Sequence, residues 1–297
     1  MTGERILITG ATGNVGAETL HELLNHSEKS QFEVIAGVRD PVKSRPLLKV
    51  QPDKFVKLDF ADTRTFATAL TGVSRMLLVR PPELADVDKY FKPFIEATKH
   101  AGVRQVTFLS LQGVENNPVT PHHKIEKLIV EADLEFTFLR PGFFMQNLCT
   151  THRDEIRLRN ELFIPAGNSR TSFIDARDVA AIAARALTSQ SSEHFNRGYE
   201  LTGSEALTYY EIAQILTDSL GHPIVYRKPS VLQFIWRKWR REKLPLNYVL
   251  IMTSLYTVAR TEKAAGLMTE TEQLLGRPPI TFRQFATDNR SVWMRDQ

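Results

Sequence analysis

A chain of 297 residues, 42% hydrophobic and 24% charged, is long enough to bury a sizeable core and has an ordinary globular mixture. Its 38 Lys and Arg against 34 Asp and Glu leave a formal charge of only +4, too small and too dispersed for the concentrated basic face of a nucleic-acid binder. A single cysteine, Cys149, excludes an internal disulfide and a cysteine cluster for zinc, so no metal is expected and a reducing, cytoplasmic setting is the default. The early apolar run Ile6 to Ile8 meets glycines too soon for a signal peptide, and no stretch of about 18 apolar residues occurs, so a soluble chain is expected. The closest such stretch, "LNYVLIMTSLYTVA", is interrupted by Asn247, Thr253, Ser254 and Thr257 and reads as a buried helix.

In chain order, "RILIT", "FEVIAGV", "FVKLD", "RMLLV", "VRQVTFLS" and "EFTFLR" are nearly continuous apolar runs separated by helical patterns. That alternation predicts an α/β fold, a Rossmann-like doubly wound parallel sheet of six strands covered by helices on both faces. "DVDKYFKPFIEATKHAG" repeats Val87, Phe91, Phe94, Ile95 and Thr98 on one helical face, with Gly102 placed to end the helix.

The first strand runs into "TGATGNVG", where Gly10, Gly13 and Gly16 recur every third residue before a helix whose apolar face is Val15, Leu20, Leu23 and Leu24. A strand, glycine turn and helix in this order expose backbone N–H groups and the positive helix end to an anion. Gly10 permits the tight turn, Gly13 lets a pyrophosphate approach the main chain, and Gly16 lets helix and strand pack closely. The spacing is GxxGxxG, whereas the general dinucleotide fingerprint is GxGxxG. The second strand ends in "AGVRD": where an NAD-binding unit carries an acidic residue for the ribose, this chain has Val38 and then Arg39. Arg39, with Lys43 in reach, suits a 2′-phosphate, so NADP(H) is expected over NAD(H).

After Pro141 the strands shorten and the chain becomes richer in helix, with Thr208 and Glu211 forming a capping box before "YYEIAQILTDSLG". Residues 1–145 are expected to form the dinucleotide-binding domain, 170–190 to return to it, and 146–169 with 191–297 to form a smaller, mostly α-helical, substrate-side domain. In "SVLQFIWRKWRREK", Leu232, Ile235, Trp236 and Trp239 share a helical face, read as a packed helix with a solvated basic edge, with a partner or membrane surface as alternatives.

The motifs "TGATGNVG", "LDFAD", "PHHKIEKLI", "FTFLRPGFFMQN", "SFIDARDVA" and "YELTGSEALTYYEIA" together make the chain resemble, over nearly its whole length, the NmrA-like atypical short-chain dehydrogenases, a group that includes quinone and azo-dye reductases using NADPH. The resemblance implies Gly10, Thr12, Gly13, Asn14, Val15 and Gly16 at the pyrophosphate, Arg39 at the adenosine ribose, and Asp59 with Phe60 beside the adenine. It also implies that the ends of the fourth and fifth strands, Val79, Arg80, Pro81, Ser110 and Leu111, hold the nicotinamide half. Arg80 is unusual there and is an alternative site for an anionic substrate.

Short-chain enzymes that reduce ketones carry a Tyr and a Lys four residues apart; counted back from "LRPG", those positions hold Pro118 and His122. The resemblance therefore points to hydride transfer onto a small conjugated acceptor, a quinone or azo compound that delocalises the charge it receives. His122 is a candidate proton donor, a ligand of the nicotinamide ribose, or helix-start packing. Phe143, Phe144, Met145 and Asn147, just beyond the sixth strand, form either a wall for a flat acceptor or core. The alternative function is a non-catalytic regulator that senses NADP(H). No nucleic-acid or membrane partner is expected, and the sequence leaves the oligomeric state open.

Overall fold

The computed structural model describes residues 3–260 and 264–295; the ends of the expected domain spans, 1–2 and 296–297, and the segment 261–263 lie outside the described residues. Twelve strands are described: β1 (Glu4–Thr9), β2 (Phe32–Val38), β3 (Lys54–Lys57), β4 (Arg75–Val79), β5 (Gln105–Leu109), β6 (Glu135–Pro141), β7 (Phe143–Phe144), β8 (Glu161–Leu162), β9 (Arg170–Ile174), β10 (Arg197–Leu201), β11 (Ala206–Thr208) and β12 (Val225–Tyr226). The chain divides into two compact units, Met1–Pro141 with Ala176–Leu201, and Gly142–Asp175 with Thr202–Gln297.

The first unit is a seven-stranded parallel sheet in the order β10-β6-β5-β4-β1-β2-β3. The chain runs outward from β1 to β3 and crosses back to β4, so the winding reverses between β1 and β4, the place where open α/β sheets leave a crevice at their carboxyl ends. Thr9 clasps that place by accepting a hydrogen bond from the Val79 N–H at 2.8 Å. The predicted Rossmann-like sheet is present, with one strand more than the six expected. "RGYEL" (β10) was missed because it is short, contains glycine, and buries only Tyr199 and Leu201; its order comes from parallel pairing with β6. The expected single helix over 86–102 is two, Val87–Tyr90 and Lys92–His100, split where Pro93 enters the first turn of the second. Val87, Phe91, Phe94, Ile95 and Thr98 are all buried nonetheless.

The return segment expected at 170–190 is divided. The helix Ala176–Thr188 belongs to the first unit, whereas β9 lies in the second unit, between β11 and β7. Arg75 explains the helix's attachment: almost fully buried on β4, it donates from one guanidinium nitrogen to the carbonyls of Leu187 (2.9 Å) and Ser189 (2.7 Å) and lies 3.3 Å from Glu4.

The second unit packs β7, β9 and β11, the pair β8–β12, and the helices Tyr209–Leu220, Leu246–Arg260 and Phe282–Asp288 around one core that includes Leu148, Phe173, Tyr209, Phe234 and Trp293. The Thr208–Glu211 capping box forms as predicted, and Gly221, in the left-handed region, ends that helix. Two readings need correction. The helix Leu246–Arg260 is only half buried: Val249, Met252, Tyr256 and Ala259 face the core, while Leu250, Ile251 and Leu255 are exposed. In the basic segment the helix Val231–Trp236 turns Phe234 inward and leaves Leu232 and Trp236 in solvent, and Lys238, expected on the solvated edge, is buried. Ion pairs with Glu155 (2.6 Å) and Glu242 (2.9 Å) pull Lys238 in, which apolar periodicity does not register.

Removing a buried guanidinium strands two carbonyls and costs about 3 kcal/mol. Arg75→Ala should therefore lower the free energy of unfolding by about that amount, measured by urea titration of the full chain.

Candidate functional site

The turn after β1 is built by close contacts. Gly10 has φ of +61°, and a Cβ there would lie 2.8 Å from the Val79 side chain. A Cβ on Gly16 would fall onto the Gly10 carbonyl oxygen, so the helix Asn14–Leu24 starts pressed against the strand end. Gly13, by contrast, is exposed; its N–H donates to the Gly10 carbonyl at 2.9 Å, and a Cβ there would meet only that oxygen, at 3.3 Å. Gly13 caps the helix with no side-chain hydrogen bond, and no acidic residue stands in the first turn. The first-turn N–H groups therefore face outward beside exposed Thr12 and Asn14, with Val15 and Gly16 buried behind them. This is an anion cradle of N–H groups and helix dipole.

At the end of β2, Arg39 is 77% exposed and its one ion pair among the described residues is loose, 3.8 Å from Glu83. Such a pair is worth little, so Arg39 is free to bind an incoming anion. Asp40 does not oppose it. Its carboxylate accepts from the N–H groups of Val42 and Lys43, both at 3.1 Å, and those bonds with the Lys43 charge hold its pKa below the ordinary value. Lys43 is exposed, 3.6 Å from Asp40. Asp59, half buried after β3, accepts from the Ala61 N–H at 2.9 Å. The Phe60 ring is a correction: it is buried in the sheet core against Phe91 and Phe94, leaving only its main chain to flank an adenine.

At the ends of β4 and β5 the expected residues separate by role. Val79 packs on the glycine turn. Arg80 is a loop clamp: one nitrogen donates to the carbonyls of Pro81 (2.9 Å), Pro82 (3.1 Å) and Leu84 (3.1 Å). That engagement leaves little for the anionic substrate expected of it. Ser110 is buried, and its hydroxyl has no hydrogen-bond partner among the described residues; Leu111, next to it, is half buried. His122, in the first turn of the helix Pro121–Glu131, stacks on Phe108 with ring centroids 6.0 Å apart. Burial, with the nearby Arg80 charge, pushes its pKa down to about 3. A neutral imidazole has no imidazolium proton to give, which corrects the proton-donor reading and leaves His122 as a hydrogen-bonding group. His123 turns away and donates from Nδ1 to the Val114 carbonyl at 3.1 Å. Arg140 fixes their helix by a bidentate pair with buried Glu126, at 3.1 and 2.7 Å.

In the second unit, Phe143 is half buried, edge-on to Phe173 and stacked on Tyr256. Phe144 is half buried too, but Met145 is completely buried in the core and is packing, not an acceptor wall. Asn147 is half buried. Burial beside Asp175 pushes the Cys149 thiol up to about 12, so it is no nucleophile at neutral pH. The sequence reading missed His152, Glu155 and Tyr256, which are buried in contact with one another. Only the three-residue spacing of His152 and Glu155 on one helical face signals them locally. Among the described residues no group of three or more His, Cys, Asp and Glu is placed to hold a metal, and no helix is long and apolar enough to cross a membrane.

A family model for the NmrA-like family matches residues 2–275. The chain belongs to the NmrA-like family. Among its relatives, an NAD(P)H azoreductase of Xenophilus azovorans is 32% identical over 287 residues, covering 95% of this chain and 96% of the relative. Quinone oxidoreductase 2 of Escherichia coli is 30% identical over 233 residues, covering 77% and 79%. The crystal structure of an NADPH-dependent quinone oxidoreductase from Escherichia coli, complexed with NADPH, matches with a TM-score of 0.83 at 25% identity, over 95% of this chain and 99% of that one. In this NmrA-like chain the glycine turn makes two separable demands. Gly13→Val should fold, with a modestly lowered melting temperature, yet lose dinucleotide binding in calorimetry, whereas Gly16→Val should fail to fold, because its Cβ collides with backbone.

The depressed His122 pKa also has a sign. Between about 3 and 6.5 the unfolded chain holds a proton on this imidazole that the folded chain does not, so acid favours unfolding across that window and stability rises with pH through it. In His122→Gln the loss of stability between pH 6.5 and pH 4 should be smaller than in wild type, as read by denaturant midpoints at each pH.

Proposed function

We propose that this chain is an NADPH-dependent reductase of small conjugated acceptors, quinone- or azo-like. The observation that carries the reading is the uncapped start of the helix Asn14–Leu24 beside exposed Gly13, in a chain whose relatives are named as azo and quinone reductases. The unpartnered Ser110 hydroxyl at the end of β5 supports it, since a buried polar atom left without a partner in the protein suits a bound polar ligand. Both features fit a dinucleotide.

When bound, NADPH supplies the hydride. In this reading the N–H groups of the first turn of Asn14–Leu24 hold the pyrophosphate, which passes over Gly13 where no side chain stands, and Arg39 holds the 2′-phosphate, with Lys43 adding positive charge. Asp59 and the Phe60 main chain flank the adenosine. Val79, Pro81, Ser110, Leu111 and neutral His122 bind the nicotinamide half, and Arg80 keeps the loop Pro81–Leu84 in shape. Phe143 and Phe144 present apolar area to a flat acceptor, which Asn147 orients through its amide. Pro118 and His122 stand where ketone reductases of the wider group carry Tyr and Lys, so the acceptor must be one that delocalises negative charge.

Turnover decides between acceptors: NADPH oxidation should proceed with quinones or azo dyes and not with simple aldehydes. Cofactor choice tests Arg39, because a hydrogen bond to an ionised group is worth about 1.5 to 3 kcal/mol. Arg39→Ala should lower NADPH affinity about ten- to a hundredfold and leave NADH affinity within a few fold, in titrations at matched salt.

A further inference from the structure

Two helical segments of the second unit hold apolar side chains out in solvent. In the turns Val231–Trp236 and Arg237–Arg241, Leu232 is 79% exposed, Trp236 56% and Trp239 39%. After the link 242–245, the helix Leu246–Arg260 has no charged residue before Arg260, and Leu250, Ile251 and Leu255 on it are each half or more exposed. The two segments pack on each other. An isolated exposed apolar residue is ordinary, but a cluster confined to one short stretch of chain marks an interaction surface.

The charge of the same stretch is one-sided. Between Ser230 and Arg260 the sole acidic residue is Glu242, and Arg159 (2.7 Å), Lys238 (2.9 Å) and Arg237 (3.3 Å) enclose it. Arg240, Arg241 and Lys243 are exposed. The Arg240 guanidinium lies over the Trp239 ring, 4.2 Å from its centroid, and that of Arg241 over Trp236, at 5.4 Å, so each indole is topped by a cation. Beside Trp236 an open cavity of about 500 Å³ is lined in part by Phe163, Arg227, Leu232, Arg237 and Arg241. Glu161 holds Arg227, at 2.9 Å, and Arg237, whereas Arg241 has the indole face.

We propose that this face of the second unit docks on an anionic lipid surface, with Arg240, Arg241 and Lys243 among the phosphates, Trp236 and Trp239 at headgroup depth, and Leu250, Ile251 and Leu255 against the acyl chains. The proposal is independent of the reductase reading. An indole joins an apolar body to a polar N–H and settles at headgroup depth, and long basic side chains reach phosphates while their stems stay on apolar surface. Each Lys or Arg beside a bilayer strengthens attachment to anionic lipid several-fold. Contact is through one face and does not span the layer, because Val249, Met252 and Tyr256 on the other side of the helix are held in the unit's core. A second copy of the chain is the poorer occupant: its matching face would bring the same cations and no exposed carboxylate to meet them. The membrane surface, an alternative for this segment on sequence grounds, is thus preferred to a packed helix with a solvated basic edge.

The test adds vesicles of phosphatidylcholine, alone or mixed with phosphatidylserine, to the full-length protein, to the double variant Arg240→Gln, Arg241→Gln, and to Ile251→Asn. Wild type should co-sediment with the mixed vesicles about tenfold or more tighter than with phosphatidylcholine alone, and lose that preference as salt rises. Its tryptophan emission should move to the blue on binding, because Trp236 and Trp239 are exposed and Trp293 is already buried. The double variant should bind the mixed vesicles about tenfold or more weaker and Ile251→Asn about threefold or more weaker, both at the wild-type melting temperature, since the replaced side chains are exposed. Wild type that does not co-sediment with the mixed vesicles would overturn the proposal, as would wild-type binding strength in either variant. A wild-type dimer that Ile251→Asn separates into monomers in analytical ultracentrifugation, with no vesicle binding, would overturn it and assign the face to a second copy. NADPH turnover enters none of these outcomes, so the reductase reading stands or falls separately.

Discussion

The approach of Gly16 to the Gly10 carbonyl is the contact on which the first unit's site depends. It is closer than any side chain permits, so it sets the helix Asn14–Leu24 hard against the end of β1 and aims the helix's first N–H groups past the strand. Gly10 then turns the chain in a left-handed conformation against Val79, and Thr9 ties β1 to β4 beneath the turn. The unpaired donors of a helix end thus stand at the point where the sheet reverses its winding, which is where an anionic ligand gains most from backbone dipoles.

Charge is managed differently in the two units. In the first, Arg75, Arg80 and Arg140 are drawn inward to fasten main chain or helices, and each finds carbonyls or carboxylates. Arg39 alone among the residues discussed at the strand ends is left nearly free. In the second, Lys238, Glu155 and His152 form a buried line that ends on the Tyr256 phenol, each charge meeting an opposite charge or a polar atom.

The sequence made the sheet legible because strands buried on both faces are continuous apolar runs, and it made the glycine turn legible because a Cβ is intolerable at Gly10 and Gly16. The exposed position of Arg39 just after β2 was readable from where the strand ends. Where side chains alternate or partners are remote, the reading failed. Phe60 and Met145 point into cores that no local pattern reveals, and β10 exists by virtue of its neighbour β6. Arg80 looked like a ligand group until the loop carbonyls it bonds were in view. Tyr256 and His152 are 104 residues apart, and Lys238 is buried only because Glu155 is, so neither contact leaves a trace in composition or periodicity.

The central claim, that the open N–H groups at the start of Asn14–Leu24 hold the cofactor's pyrophosphate, is tested most directly by amide chemical shifts of the isotope-labelled protein during NADPH titration. The account predicts that the Asn14, Val15 and Gly16 amides shift together, saturating with the affinity measured by calorimetry. Saturable NADPH binding that leaves those three amides unmoved would contradict it.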